Sequence, residues 1–159
     1  MNTSRQAVGL LILIALCLGA GAVGSLFTSP SIPTWYATLQ KPSWTPPNWL
    51  FAPVWTTLYL AMAIAAWLVW RKGGLAGAKL ALALFALQLI LNVCWSAIFF
   101  SARMPGLAFA EIVLLWAMIL ATIIAFRPVS PVGALLMLPY LLWVGFASAL
   151  NFAIWRLNS

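Results

Sequence analysis

The stretch WYATLQKPSWTPPNW, residues 35–49, separates two long apolar runs. Prolines at positions 42, 46 and 47 prevent one continuous helix from passing through it. Its amphipathic aromatic side chains and its lysine give the stretch a polar and an apolar side, which is typical of a segment at a membrane surface. A simple spacer needs no such composition. The stretch is therefore predicted to form a lid over a binding site, or a part of that site.

The rest of the chain is almost free of charge. Of its 159 residues, 65% are hydrophobic and 6% are charged, whereas a soluble domain carries about 25% charged residues. The apolar runs are long and continuous rather than alternating, which excludes a transmembrane β-barrel. The composition therefore predicts an all-α, multi-pass integral membrane protein and leaves its host membrane open.

Five apolar runs are long enough to cross a bilayer, at about 20 residues each. They predict helices over about 7–27, 50–70, 80–100, 107–126 and 132–155. The second run should stop at the Arg-Lys-Gly-Gly sequence of residues 71–74. All connections except the Trp/Pro-rich stretch are short, and short connections place consecutive helices antiparallel. We expect a single domain over residues 1–159, a five-helix bundle with a lid loop between helices 1 and 2.

The first run has a second interpretation. Arg5, an apolar core and Ala20-Gly21-Ala22 also resemble a signal peptide with its cleavage site. The run is longer than a usual signal core, and its removal would leave four helices, so we expect it to be retained. Five basic residues would then lie on the side of the N-terminus and three on the other side. This bias predicts a cytoplasmic N-terminus.

Reactive side chains are scarce. The chain has one acid, Glu111, no histidine, and two cysteines within apolar runs, which we interpret as small buried hydrophobes rather than a disulfide. Such a chain offers no acid–base pair, no catalytic triad and no carboxylate-rich metal site, so conventional hydrolysis or group transfer is not expected. The net charge of +7 comes from basic residues scattered at the ends of apolar runs, where they anchor helices. Nucleic-acid binding is therefore not expected.

Polar side chains follow one face of the third predicted helix. The residues of this stripe are Gln88, Asn92, Trp95, Ser96 and Phe99. Polar groups are costly in hydrocarbon and must face the bundle interior or a cavity. The stripe predicts either the polar wall of a ligand cavity or hydrogen bonds between helices that only hold the bundle together.

Aromatic stripes at helical spacing occur in two further helices. Their residues are Trp55, Tyr59, Met62 and Ala66 in the second helix, and Tyr140, Trp143, Ala147 and Asn151 in the fifth. Such a stripe is more often ordinary packing than a site. Three stripes with indoles, phenols and amides nevertheless fit an apolar pocket with a few polar anchors. The small Ala147, between Trp143 and Asn151, would leave room for a flat ligand.

Glu111 is predicted about one turn inside the fourth helix. A lone acid within a membrane is a candidate for function. A structural role is the alternative, because a helix N-terminus stabilises a nearby carboxylate.

Five short segments carry a family resemblance. They are residues 35–47 (WYATLQKPSWTPP), 53–59 (PVWTTLY), 88–92 (QLILN), 139–143 (PYLLW) and 150–152 (LNF), together with Trp95, Phe99 and Phe100. With these segments the chain resembles the TspO/MBR family of tryptophan-rich sensory proteins and mitochondrial translocator proteins, once called peripheral benzodiazepine receptors. The segments cover four of the five helices in the family's order, and together they are highly specific.

The resemblance implies a five-helix bundle, commonly a homodimer, whose pocket opens toward the lid. Family members bind porphyrins, haem, sterols in some cases, and synthetic benzodiazepine or isoquinoline ligands. The implied ligand-binding residues are Tyr36, Pro46, Trp55, Tyr59, Gln88, Asn92, Trp95, Ser96, Trp143 and Ala147. The expected partners are the lipid bilayer and a porphyrin or haem as ligand, with no required cofactor and no metal site.

Two further points follow from the resemblance. Some bacterial members are reported to degrade protoporphyrin in light, and tryptophans matching Trp55 and Trp143 are implicated, so these two would be the photochemical residues of an enzyme. The sterol pattern of animal members needs a tyrosine before a basic residue in the last helix. Phe152 takes that place ahead of Arg156, which favours tetrapyrroles over sterols.

Three functions are therefore compared. The leading hypothesis is a membrane receptor, carrier or sensor for porphyrin-type tetrapyrroles. The second is an enzyme that degrades porphyrins with light and oxygen. The third is a small proton-coupled drug exporter, although known small exporters have their essential acid in the first helix and Glu111 lies in the fourth.

Overall fold

The computed structural model describes residues 3–159, which form helices and no strand. Five segments are long and apolar enough to cross a membrane: Thr3–Thr28, Asn48–Gly77, Lys79–Ser101, Pro105–Phe126 and Pro131–Leu157. The predicted all-α fold class and the five membrane-spanning helices are confirmed.

The helices are labelled in chain order. They are α1 (Thr3–Thr28), α2 (Trp35–Thr38), α3 (Asn48–Gly77), α4 (Lys79–Ser96), α5 (Pro105–Phe126), α6 (Pro131–Leu136) and α7 (Leu138–Leu157). A π-helical segment, Ala97–Ser101, continues α4, and α6 and α7 together form the fifth span. Residues 29–47, which include α2, are called the connector.

Two of the predicted helix boundaries differ from the observed ones. Helix α3 extends past the predicted end at Trp70 as far as Gly77, and its backbone breaks at Gly74, where φ is +64°. Glycine adopts this left-handed conformation readily, so the predicted stop appears as a kink. The fifth predicted helix is divided between α6 and α7 because Pro139 cannot donate a hydrogen bond to the preceding turn and its ring would clash with it.

Helix α1 packs against α3 and α4, and α5 packs against α4 and α7. Glycine makes the contact between α1 and α3 close. A Cβ atom on Gly9 would overlap the Trp70 ring, and one on Gly21 would lie 2.6 Å from the Tyr59 ring. Only a residue without a side chain allows these rings to lie against the α1 backbone.

Candidate ligand-binding cavity

A cavity of about 410 Å³ lies inside the half of the bundle next to the connector. This volume falls in the range of small-molecule sites, about 300–1,000 Å³. Helices α1, α3, α4 and α7 contribute to its wall. Its aromatic lining consists of Tyr36, Phe51, Trp55, Tyr59, Trp95, Phe99, Phe100 and Trp143. The cavity is therefore mainly apolar and bounded by flat rings.

Most of the predicted site residues are brought together around this cavity. Those that line it are Tyr36, Trp55, Tyr59, Asn92, Trp95, Ser96, Trp143 and Ala147. The three predicted stripes thus converge on one space, as expected of helix faces that point to the same interior. Whether these residues bind a ligand stays a prediction.

Gln88 and Pro46 lie outside the lining. Gln88 is one turn before Asn92 on α4, at 0% exposure, and its Nε2 donates to Met62 Sδ at 3.8 Å. Side chains fill the bundle interior around Gln88, so the cavity does not extend to this residue. Pro46 lies half-buried in the connector. Two residues further on, Asn48 at the start of α3 does line the cavity.

Asn92 joins three helices. Its Oδ1 accepts a hydrogen bond from the Tyr59 hydroxyl of α3, and its Nδ2 donates to the Tyr140 hydroxyl of α7 at 2.9 Å. Interhelical hydrogen bonding was one of the two interpretations of the α4 stripe, and it is present here. Because Asn92 also lines the cavity, its side chain both holds the bundle and forms a wall.

A second amide fixes the wall nearer the connector. Asn151 Oδ1 accepts from Trp95 Nε1 at 3.0 Å, and Asn151 Nδ2 donates to the Pro105 carbonyl at 2.8 Å. The Trp95 ring also stacks on Phe99, with centroids 5.3 Å apart. The indole of Trp95 is therefore held in one orientation, and its N–H is already bonded.

Trp143 differs from Trp95 in this respect. Its Nε1 is buried and has no hydrogen-bond partner among residues 3–159. The ring is positioned by Phe51 and Phe146, with centroid separations of 6.0 and 5.4 Å. A buried donor without a partner is costly. Trp143 therefore lines the cavity with its ring, while its N–H is buried and unpaired.

Ser31 and Tyr36 attach the first part of the connector to the bundle. The Ser31 hydroxyl donates to the Phe100 carbonyl at 2.8 Å, and the Tyr36 ring packs between Phe99 and Phe100. Burial raises the pKa of the Tyr36 phenol, which therefore stays neutral at physiological pH. The Lys41 ammonium lies 4.6 Å from the centre of the Tyr36 ring, a cation–π distance.

Two further contacts hold the connector's second part. The Gln40 N–H donates to Asn158 Oδ1 and Asn158 Nδ2 donates to the Gln40 carbonyl, both at 2.9 Å. The Trp44 ring meets Phe146 edge-on, with centroids 5.8 Å apart. The connector is thus tied to α7 and its C-terminal end as well as to the π-helical segment.

Glu111 does not line the cavity. Both of its carboxyl oxygens are buried and make no hydrogen bond within the described part of the chain. A proton-coupled exporter would place its acid where the transported molecule binds. Because Glu111 lies outside the cavity lining, its position does not support the exporter hypothesis. The structure assigns no role to this acid.

Sequence reasoning did not find the wall that α1 contributes. It consists of Leu18, Gly21, Ala22, Gly24, Ser25 and Thr28. A signal was present, because small residues are concentrated at this end of α1 and small residues leave space beside a helix. The π-helical turn after Ser96 had no comparable signal, although such turns are frequent at functional sites.

These observations define a class: a five-span helical membrane protein with an aromatic cavity in one half of its bundle. The sequence model of the TspO/MBR family matches residues 13–156. The tryptophan-rich protein TspO of Chlorobaculum tepidum is 46% identical over 98% of this chain and 99% of its own length. The translocator protein of Homo sapiens is 46% identical over 86% of this chain and 82% of its own. Protein CrtK of Rhodobacter capsulatus is 44% identical over 89% and 88%. The chain belongs to the TspO/MBR family.

Proposed function

We propose that this protein is a membrane receptor, carrier or sensor that binds a porphyrin-type tetrapyrrole in the cavity. The observation that carries the proposal is the ring-lined space of about 410 Å³. Flat aromatic ligands stack on indole and phenol rings. The cavity presents such rings on several sides, and Ala147 leaves space between them.

Few polar groups of the wall are free to orient a ligand. The amides of Asn92 and Asn151 are occupied by the hydrogen bonds between helices. Contact with the rings of the wall, among them Trp143, would therefore contribute most of the binding. Lys41, whose ammonium lies 4.6 Å from the centre of the Tyr36 ring, supplies a positive charge for a propionate group.

The test is a titration of detergent-purified protein with protoporphyrin IX in the dark, followed by the porphyrin's own absorbance. Trp143→Ala removes an indole ring from the cavity wall, and we expect about tenfold weaker binding from the lost ring contact. Trp49→Ala is the matched control because Trp49 is 71% exposed and does not line the cavity. Equal affinities for both variants and the unaltered protein would contradict the assignment of the cavity.

A second candidate is light-dependent degradation of the bound porphyrin, with oxygen as oxidant. Trp55 and Trp143 both line the cavity, so an excited ligand would contact two indoles. The Trp55 ring also lies 5.7 Å from the Tyr59 ring, centre to centre. Illumination in air should give a new absorbing product with the unaltered protein and none when both tryptophans are replaced by Phe. The same product yield from both proteins would eliminate this candidate.

Other expectations stay predictions. They are binding of benzodiazepine-like and isoquinoline-like ligands, assembly as a homodimer, and a cytoplasmic N-terminus. Sterol binding remains disfavoured by Phe152, which lies in α7 ahead of Arg156.

A further inference from the structure

Helices α1 and α3 are in close contact over part of their length and separated near the connector. The close contacts are those of Gly9 with Trp70 and of Gly21 with Tyr59. Beyond Gly21, five of the exposed residues that border the cavity on these two sides have small or short side chains. They are Ala22, Ser25 and Ser29 from the α1 side and Ala52 and Thr56 from α3. We call the gap between these five residues the slot.

The slot reaches the outer surface of the bundle. All five of its residues are exposed although they line the internal cavity. Four of them belong to the membrane-spanning segments Thr3–Thr28 and Asn48–Gly77, and Ser29 follows directly after the first. A surface at this position is therefore expected to face the bilayer.

The hydroxyl groups along the slot are already hydrogen-bonded. Ser25 Oγ and Ser29 Oγ lie 3.0 Å apart, and Thr56 Oγ1 donates to the Ala52 carbonyl at 2.8 Å. Hydroxyls satisfied in this way expose little unpaired polarity to hydrocarbon. The slot is thus compatible with lipid chains and with an apolar ligand passing between them.

Movement of the connector away from the bundle would have to break several contacts. The connector is held by Ser31 on the Phe100 carbonyl, by the two bonds between Gln40 and Asn158, and by the Trp44 and Phe146 rings. Passage through the slot breaks none of these. It requires only that lipid chains leave the gap.

We propose that the ligand enters and leaves the cavity through the slot, directly from the bilayer. This inference rests on the proposed function. It also specifies the kind of ligand: a flat, largely apolar amphiphile that reaches the protein dissolved in the membrane. The connector then acts as a fixed cover whose opening is not needed for exchange.

The first experiment compares two reversible cross-links in proteoliposomes. One variant carries Ser25→Cys with Thr56→Cys across the slot, and the other carries Gln40→Cys with Asn158→Cys across the cover. Both contain Cys94→Ala, while the fully buried Cys17 is left in place. Each pair is joined with a short, reducible thiol cross-linker. Stopped-flow measurements then give the association and dissociation rates of protoporphyrin IX delivered from lipid vesicles.

We expect the slot cross-link to slow both rates at least tenfold relative to the same variant after reduction. The cover cross-link should leave both rates unchanged. The inference is overturned if the cover cross-link slows porphyrin exchange, or if neither cross-link slows it. If the unaltered protein shows no saturable porphyrin binding, the proposed function fails separately.

A second measurement tests the slot without any ligand. A nitroxide spin label is attached to Thr56→Cys, and its collision rates with membrane-soluble oxygen and a water-soluble nickel complex are compared by electron paramagnetic resonance. We expect oxygen to be favoured at this position. The control is Ser43→Cys on the exposed connector, where the nickel complex should be favoured. Preference for nickel at position 56 would show that the slot opens to water and would overturn the inference.

Discussion

The two halves of the bundle are built from the same helices but are filled to different extents. In the half away from the connector, Phe85 stacks on Phe126 at 6.0 Å and the Trp70 ring covers Gly9. In the half next to the connector, aromatic rings surround about 410 Å³ of space. The comparison teaches that large side chains alone do not close an interior, because here the half with the most rings is the open one.

Wall residues next to the connector are held in place by their neighbours. Tyr59 is bonded to Asn92 and packs against Trp55, and Trp95 is bonded to Asn151. Rings restrained by both packing and hydrogen bonds cannot rotate inward to fill the space. Protein interiors are otherwise close-packed, and a cavity of this size falls in the range of small-molecule sites.

The largest expected effect comes from opening a new cavity in the filled half. Phe126 is fully buried against Phe85, so Phe126→Ala should lower the free energy of unfolding by about 3–5 kcal/mol. Phe51→Ala is the control, because Phe51 is half-buried at an existing cavity and its loss should cost less than about 2 kcal/mol. Unfolding in mixed detergent micelles measures both. Equal losses would mean that the two halves are packed alike.

The next effect tests what keeps the cavity wall in place. Asn92→Leu leaves the hydroxyls of Tyr59 and Tyr140 without their partner and should cost about 2–4 kcal/mol, at about 1–2 kcal/mol for each buried group. Asn48→Leu is the control: Asn48 also lines the cavity but is exposed, so a change within about 0.5 kcal/mol is expected. A similar loss in both variants would show that the Asn92 bonds do not stabilise the wall.

A larger side chain should reduce ligand affinity in the half next to the connector and protein stability in the other half. Ala147→Phe projects into the cavity and should reduce porphyrin affinity at least about tenfold while leaving stability within about 1 kcal/mol. Ala66→Phe adds the same ring where no space exists and should cost about 1–3 kcal/mol of stability. Porphyrin titration and thermal unfolding of both variants measure this. Unchanged affinity in a folded Ala147→Phe protein would place the ligand elsewhere.

The number and class of the helices could be predicted from the sequence because a bilayer fixes both the length and the polarity of a spanning segment. Helix ends were less predictable. Helix α3 continues past the basic pair at residues 71–72, where the Arg71 guanidinium lies 4.5 Å from the centre of the Trp67 ring. Pro139 could have indicated the break in the fifth span. It lies inside a continuous apolar run, so the run was predicted as one helix.

Helical spacing predicted which residues share a face, but not how far the cavity extends along that face. Asn92 and Gln88 occupy the same α4 stripe, yet only Asn92 reaches the open space. The difference depends on side chains from other helices, among them Met62, which contacts Gln88. The α1 wall and the path of the connector depend in the same way on which helices meet, and no local pattern contains that information.

The smallest effect separates movement of the connector from exchange of the ligand. Asn158→Ala removes both bonds to Gln40 at an exposed site, at a cost of about 1 kcal/mol. Amide hydrogen exchange at Gln40 should therefore become about fivefold faster, whereas global unfolding stays unchanged. Ser43→Ala on the same connector is the control and should leave that exchange rate as it is. If the slot is the route of exchange, porphyrin rates in Asn158→Ala equal those of the unaltered protein. Faster porphyrin exchange in step with amide exchange would instead make the connector the gate, and the open half of the bundle would then exchange its ligand with water rather than with the membrane.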